Sequence, residues 1–164
     1  MRKQTKIIAY CGVTAALSIV VMVIGNFFGL GMYLAPMLVG LFLSPAGRNL
    51  GKKYQILLWI SISLLSFMLI SNPEQNLMFA CLFGWYPIIR PVIQKWKNVY
   101  RVVVKFLIFN VVVIALEVFL ILFLVPENLS LKFTILLLGL GNITFFVYDL
   151  AIPRFESLLY KHIK

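Results

Sequence analysis

Apolar residues fall in six runs, at 7–24, 27–43, 54–70, 77–93, 106–125 and 133–152, separated by short polar or basic connectors. A helix rises about 1.5 Å per residue, so roughly 20 residues cross the hydrocarbon of a bilayer, and somewhat fewer suffice with little tilt. The pattern predicts an all-α, polytopic membrane protein with six transmembrane helices in one integral membrane domain, residues 1–164. The fourth run is the weakest, because only 77–89 is free of charge; it contains Pro87 and is followed by Arg90 and Pro91.

Charge placement argues for that fourth crossing. With six spans and both termini cytoplasmic, the inner side holds Arg2, Lys3, Lys6, Arg48, Lys52, Lys53, Arg90, Lys95, Lys97, Arg101, Lys105, Arg154, Lys161 and Lys164, and only Lys132 lies outside. Were the fourth run not to cross, the cluster from Arg90 to Lys105 would change sides, against the positive-inside bias.

The connectors agree with this topology. Residues 71–76 and 126–130 are rich in Asn, Ser, Pro and Glu, where helices stop and restart. The link around Gly25 and Asn26 is short enough for a tight hairpin. Gly29, Gly31, Pro36 and Gly40 predict a second helix that is kinked or incomplete. Between Pro91 and Arg101, apolar Val92, Trp96 and Tyr100 recur every four residues, the pattern of a helix lying in the cytoplasmic interface. That segment reads either as a lipid-attracted connector or as a docking surface for a partner.

Composition narrows the class. With 62% hydrophobic residues, 12% charged and a mean hydropathy of +1.00, the chain lies outside the range of water-soluble domains. The net charge of +10 does not point to nucleic acid, since the cations cluster between apolar runs and report topology. Cys11 and Cys81 lie inside apolar runs and suggest neither a disulfide framework nor a metal site. Arg2, Lys3 and Lys6 before an apolar run imitate a secretory signal, but no small-residue cleavage site follows, so a retained first helix is expected.

No catalytic constellation emerges, and neither an enzyme nor a cofactor is expected. The one histidine, His162, lies near the C-terminus, Gly139 and Gly141 flank Leu140 inside an apolar run, and no hydrolase, zinc or phosphate-loop motif is present. The strongest signal is Glu117, set more than halfway along the fifth run, since a carboxylate in hydrocarbon demands a partner, water or a proton. Asn142, near the middle of the sixth run, is its expected neighbour. The two read either as a polar site for a solute or proton, or as a staple between two helices. Asp149 near the inner end reads as an interfacial ion pair with Arg154 or Arg90. Trp85 and Tyr86 read as interface anchors, or as platforms for a ring-shaped ligand. Cys11 and Ala15, and Gly12 and Ala16, are each four apart and place small residues on shared faces of the first helix, suited to packing within the bundle or to docking a partner.

A small six-span chain with basic inner loops, cytoplasmic termini and the helix-one run Ala9-Tyr10-Cys11-Gly12-Val13-Thr14-Ala15-Ala16-Leu17 resembles the substrate-binding S-components of energy-coupling factor transporters. The resemblance implies a cell-membrane protein without ATPase activity. It would capture a vitamin-like or other small solute from outside and work with a transmembrane coupling subunit and two ATPases. It also implies a solute pocket near the outer ends of helices four to six, with Glu117, Asn142, Gln75 and Asn76 as candidates, and a docking face at Cys11, Gly12, Ala15 and Ala16. The alternative is a membrane scaffold or accessory subunit that transports nothing. A self-contained secondary transporter is the weakest reading, for want of an internal repeat.

Overall fold

The computed structural model describes residues 3–28, 31–123 and 131–162. Arg2, Gly29, the connector 126–130 and Lys164 lie outside the described residues, as do the side chains of Lys3, Gly31, Lys132, Lys161 and His162. The chain is all-helical, with α1 (Lys3–Phe27), α2 (Gly31–Asn49), α3 (Lys52–Leu69), α4 (Pro73–Met78), a π-helical turn (Phe79–Phe83), α5 (Tyr86–Ile93), α6 (Asn98–Phe123) and α7 (Leu131–His162). Among the described residues no strand occurs. Among the described residues, three stretches, Gln4–Phe27, Pro73–Ile93 and Val99–Phe123, are long and apolar enough to cross a membrane. The fourth apolar run is thus one of the three, and more of it is buried in the bundle than of the other two.

Helix α2 is the hub, packing against α1, α3, α4, the π turn, α5 and α7. It is continuous from residue 31 to 49 despite Pro36 and Pro45, so the expectation of an incomplete helix is corrected. Both prolines lack the N–H that an interior helix position would donate, and α2 stays helical through each of them. Its small residues serve close approach. A Cβ at Gly40 would collide with the Tyr148 hydroxyl and the Phe83 carbonyl, and one at Gly47 with the Gln55 amide. At Gly51, φ is +103°, a conformation that L side chains rarely adopt, and this lets α2 turn directly into α3.

Two buried clusters share α2 and the π turn. One joins α1, α2 and α3 through Met22, Val39, Leu43, Leu58 and Ile62, with Phe79 against them. The other joins α2, α5, α6 and α7 through Met37, Tyr86, Phe109, Phe145 and Tyr148. The outward faces stay apolar: Val13, Leu64, Met68, Val111, Leu122 and Ile143 are all exposed. Apolar exposure on this scale suits contact with lipid and is rare on soluble monomers.

The break in the fourth run has a local cause. The Gly84 amide bonds back five residues to the Phe79 carbonyl, at 2.8 Å, instead of four to Ala80. Pro87 lacks the N–H that would have reached the Phe83 carbonyl. The carbonyls released are taken by side chains. Trp59 on α3 donates its indole N–H to Ala80 O (3.1 Å), Tyr148 on α7 donates its hydroxyl to Phe83 O (3.0 Å), and the Trp85 indole donates to Cys81 O. Gly84 is needed for the first of these, because a Cβ there would strike the Trp59 ring.

Beyond α5 the expected interfacial helix over 91–101 is replaced by a tight turn. Helix α5 ends at Ile93 and α6 has begun by Asn98, two turns before the apolar run at 106. A four-residue apolar spacing over so short a stretch is equally met by the last turn of one helix and the first of the next.

Candidate functional site

The bundle holds two carboxylate centres at opposite ends. Tyr33 and Ser44, which belong to one end each, are eleven residues apart on α2, or roughly 16 Å along its axis.

At the basic end the centre is Asp149 on α7. Tyr86 and Arg90 are four apart and therefore share a face of α5. The Tyr86 hydroxyl donates to Asp149 Oδ1 (2.7 Å), as does Arg90 Nε (2.8 Å). Arg90 Nη2 also donates to the Asp149 backbone carbonyl (3.2 Å), and Lys105 Nζ of α6 donates to Oδ2 (2.6 Å). Both cations are 7% exposed. Desolvating charges in this way is tolerable only with close, well-aligned partners, and here three helices supply them. Of the two expected partners of Asp149, Arg90 takes the role, while Arg154 stands exposed on the next turn of α7. Lys105, read from the sequence as an inner-loop cation, is a buried partner. Tyr86 is wholly buried, packed edge-on against Phe145 with centroids 4.9 Å apart, and is no surface anchor. Nearby, Glu156 accepts from Ser44 and lies 3.8 Å from Arg48.

At the other end stands Glu117, 8% exposed on the α6 face that also buries Val113, Leu116 and Leu120. Across from it the Tyr33 hydroxyl donates to Glu74 Oε1 at 2.6 Å. Glu74 and Glu117 are close enough to repel one another, and both act on the Tyr33 hydroxyl. Among the described residues, no hydrogen bond or ion pair reaches the Glu117 carboxylate.

Asn142 does not meet it. The Asn110 and Asn142 amides close on each other, Asn110 Nδ2 to Asn142 Oδ1 (2.9 Å) and Asn142 Nδ2 to Asn110 Oδ1 (3.0 Å), and each also donates to the carbonyl four residues before it. The register explains the difference. Lys105 opposite Asp149 aligns antiparallel α6 and α7 so that Glu117 is level with about residue 137, roughly 7 Å beyond Asn142. Asn110 was legible in principle, because it stands seven residues before Glu117 and so on the same face.

Gln75 and Asn76 are buried at 0% and 1% exposure and brace helix ends: Gln75 Nε2 donates to Met22 O (2.7 Å) and Asn76 Nδ2 to Ile70 O (2.9 Å). Among the described residues their side-chain oxygens have no partner. Tyr33 was missed altogether, since a tyrosine near the start of an apolar run carries no sign that it will face a carboxylate. On α1 the two small-residue pairs divide. Cys11 and Ala15 pack inward against the first cluster, whereas Gly12 and Ala16 are exposed, with open space where a Gly12 Cβ would point. Among the described residues, no group of three or more His, Cys, Asp or Glu is placed to hold a metal ion.

Comparison with known proteins finds no family model, no curated protein and no solved structure that matches this chain.

Proposed function

We propose that the chain is a multi-pass cell-membrane protein with six spans and cytoplasmic termini. In this reading it is the solute-binding subunit of an ATP-driven uptake transporter, similar to the S-components of energy-coupling factor systems. One observation carries the proposal: Glu117 is buried to 8% exposure, has no partner among the described residues, and faces the Tyr33–Glu74 pair at the end away from the basic cluster. A buried carboxylate left without a donor is costly, and a bound solute that supplies one would offset that cost. The coupling subunit would approach the exposed side of α1 at Gly12 and Ala16.

The test is extraction of the solute retained by gently purified protein, identified by mass, in wild type and in Glu117→Gln. The expected result is a small molecule held by the wild type and lost by the variant, with co-purification of a coupling subunit and two ATPases from the native membrane. Equal retention in both proteins would remove Glu117 from the site, and a wild type that holds no solute and takes none up would overturn the function.

A second reading is an accessory or scaffold subunit. It is favoured by the hydrogen bonds that commit Asn142 to Asn110, Gln75 to α1 and Asn76 to the end of α3. Under it, Glu117→Gln changes assembly or stability and no solute is found.

A further inference from the structure

The turn between α5 and α6 carries a charge imbalance that the protein does not resolve. From Gln75 to Leu116 the sequence contains no acidic residue, yet it contains Arg90, Lys95, Lys97, Arg101 and Lys105. Asp149 answers two of these cations, Arg90 and Lys105, and itself carries a single negative charge. That buried group therefore keeps an excess positive charge. Beside it, Lys95, Lys97 and Arg101 form no ion pair among the described residues. Arg101 lies close enough to Lys105 to repel it.

The same surface is aromatic. Trp96 is 51% exposed and Tyr100 66%, and both are interleaved with the free cations. Soluble loops bury such rings or replace them, whereas at a bilayer's polar boundary an amphipathic ring is stable with one edge in each phase. Cations with aromatic rings between them match a layer that is negative at the headgroups and apolar just beneath.

We propose that Lys95, Trp96, Lys97, Tyr100 and Arg101 form a binding surface for the headgroup of an anionic phospholipid, which supplies the negative charge missing at this end of the bundle. The lipid phosphate lies among the three free cations, and the two rings seat its glycerol region. The inference requires the chain to sit in a bilayer but does not depend on its binding a solute, so either reading can fail alone.

The experiment is native mass spectrometry of the full chain, released from micelles containing equal amounts of phosphatidylglycerol and phosphatidylcholine. Juxtamembrane cations contribute about 1 kcal/mol each, so Lys95→Gln with Lys97→Gln is expected to weaken phosphatidylglycerol retention about thirtyfold, and adding Arg101→Gln about 150-fold. Lys95 and Lys97 are at the surface, so the double variant stands in should the triple one fail to fold. The charge-matched control is Lys52→Gln with Lys53→Gln, exposed at the start of α3, which is expected to change retention little. Equal retention of the two lipids by the wild type would overturn the proposal. A loss in the control as large as in Lys95→Gln with Lys97→Gln, or displacement of the lipid by an equal concentration of inorganic phosphate, would do so too.

Discussion

Asp149 and Glu117 are both carboxylates set among apolar helices, and the bundle treats them in opposite ways. Asp149 accepts from Tyr86, Arg90 and Lys105, so two further helices close around it. Glu117 is the less exposed of the two and accepts from nothing among the described residues. Burial is therefore a poor guide to function in this chain, and saturation is a better one: a carboxylate whose acceptor positions are filled by its own protein holds helices together, while an unfilled one is available to something else.

The largest expected effect would test that contrast directly. Asp149→Asn leaves Arg90 and Lys105 buried without a counter-charge, and breaking a buried pair costs about 3–5 kcal/mol. Thermal unfolding of the full chain in nanodiscs should show a large fall in midpoint for this variant and an unchanged or raised midpoint for Glu117→Gln, which removes an unpartnered carboxyl group. A fall for Glu117→Gln as large as for Asp149→Asn would erase the distinction between the two centres.

A smaller effect is expected at the helix break that aims Tyr86 and Arg90. Gly84→Ala forces a methyl group against the Trp59 ring, and overpacking of this kind costs about 1–3 kcal/mol. The same unfolding measurement checks it, and no change in midpoint would mean that the close contact at Gly84 is not needed.

The smallest effect sharpens the register between the centres. A double-mutant cycle on Asn110→Ala and Asn142→Ala should give a coupling of about 0.6 kcal/mol, and not above about 1.7 kcal/mol, the range for hydrogen bonds between membrane helices. Zero coupling there, together with a measurable coupling between Asn142 and Glu117, would restore the pairing that the sequence suggests and move Glu117 into the saturated class.

Helix positions were largely legible, because apolar runs and the residues that interrupt them are local properties. The expected run 7–24 lies within Lys3–Phe27, and the doubtful run 77–93 lies within Pro73–Ile93. The anomaly of Glu117 was legible for the same reason, and so was Arg90 as a partner of Asp149. What could not be read was which residue faces which. Equal depth in two runs suggested Asn142 for Glu117, but contact depends on helix register, and the Lys105–Asp149 pair fixes that register. Lys105 itself was misread because a cation at the edge of an apolar run looks alike whether it points to water or into the bundle. The role of the stretch from Gly84 to Arg90 could not be read from local properties either. Its reason is collective: the glycine admits Trp59, the proline frees a carbonyl for Tyr148, and the tyrosine and arginine reach Asp149.

The π turn at Phe79–Phe83 acts as a phase shifter. One residue more than a regular helix needs is inserted there, so everything after it is rotated by roughly 100° relative to an uninterrupted helix. That offset, with the break at Gly84 and Pro87, turns Tyr86 and Arg90 toward Asp149 on α7. Deleting any single residue between Phe79 and Phe83 would leave composition and hydropathy nearly unchanged and would swing both side chains away from Asp149. In this segment the spacing of the chain, as much as the identity of its residues, encodes the ion pair.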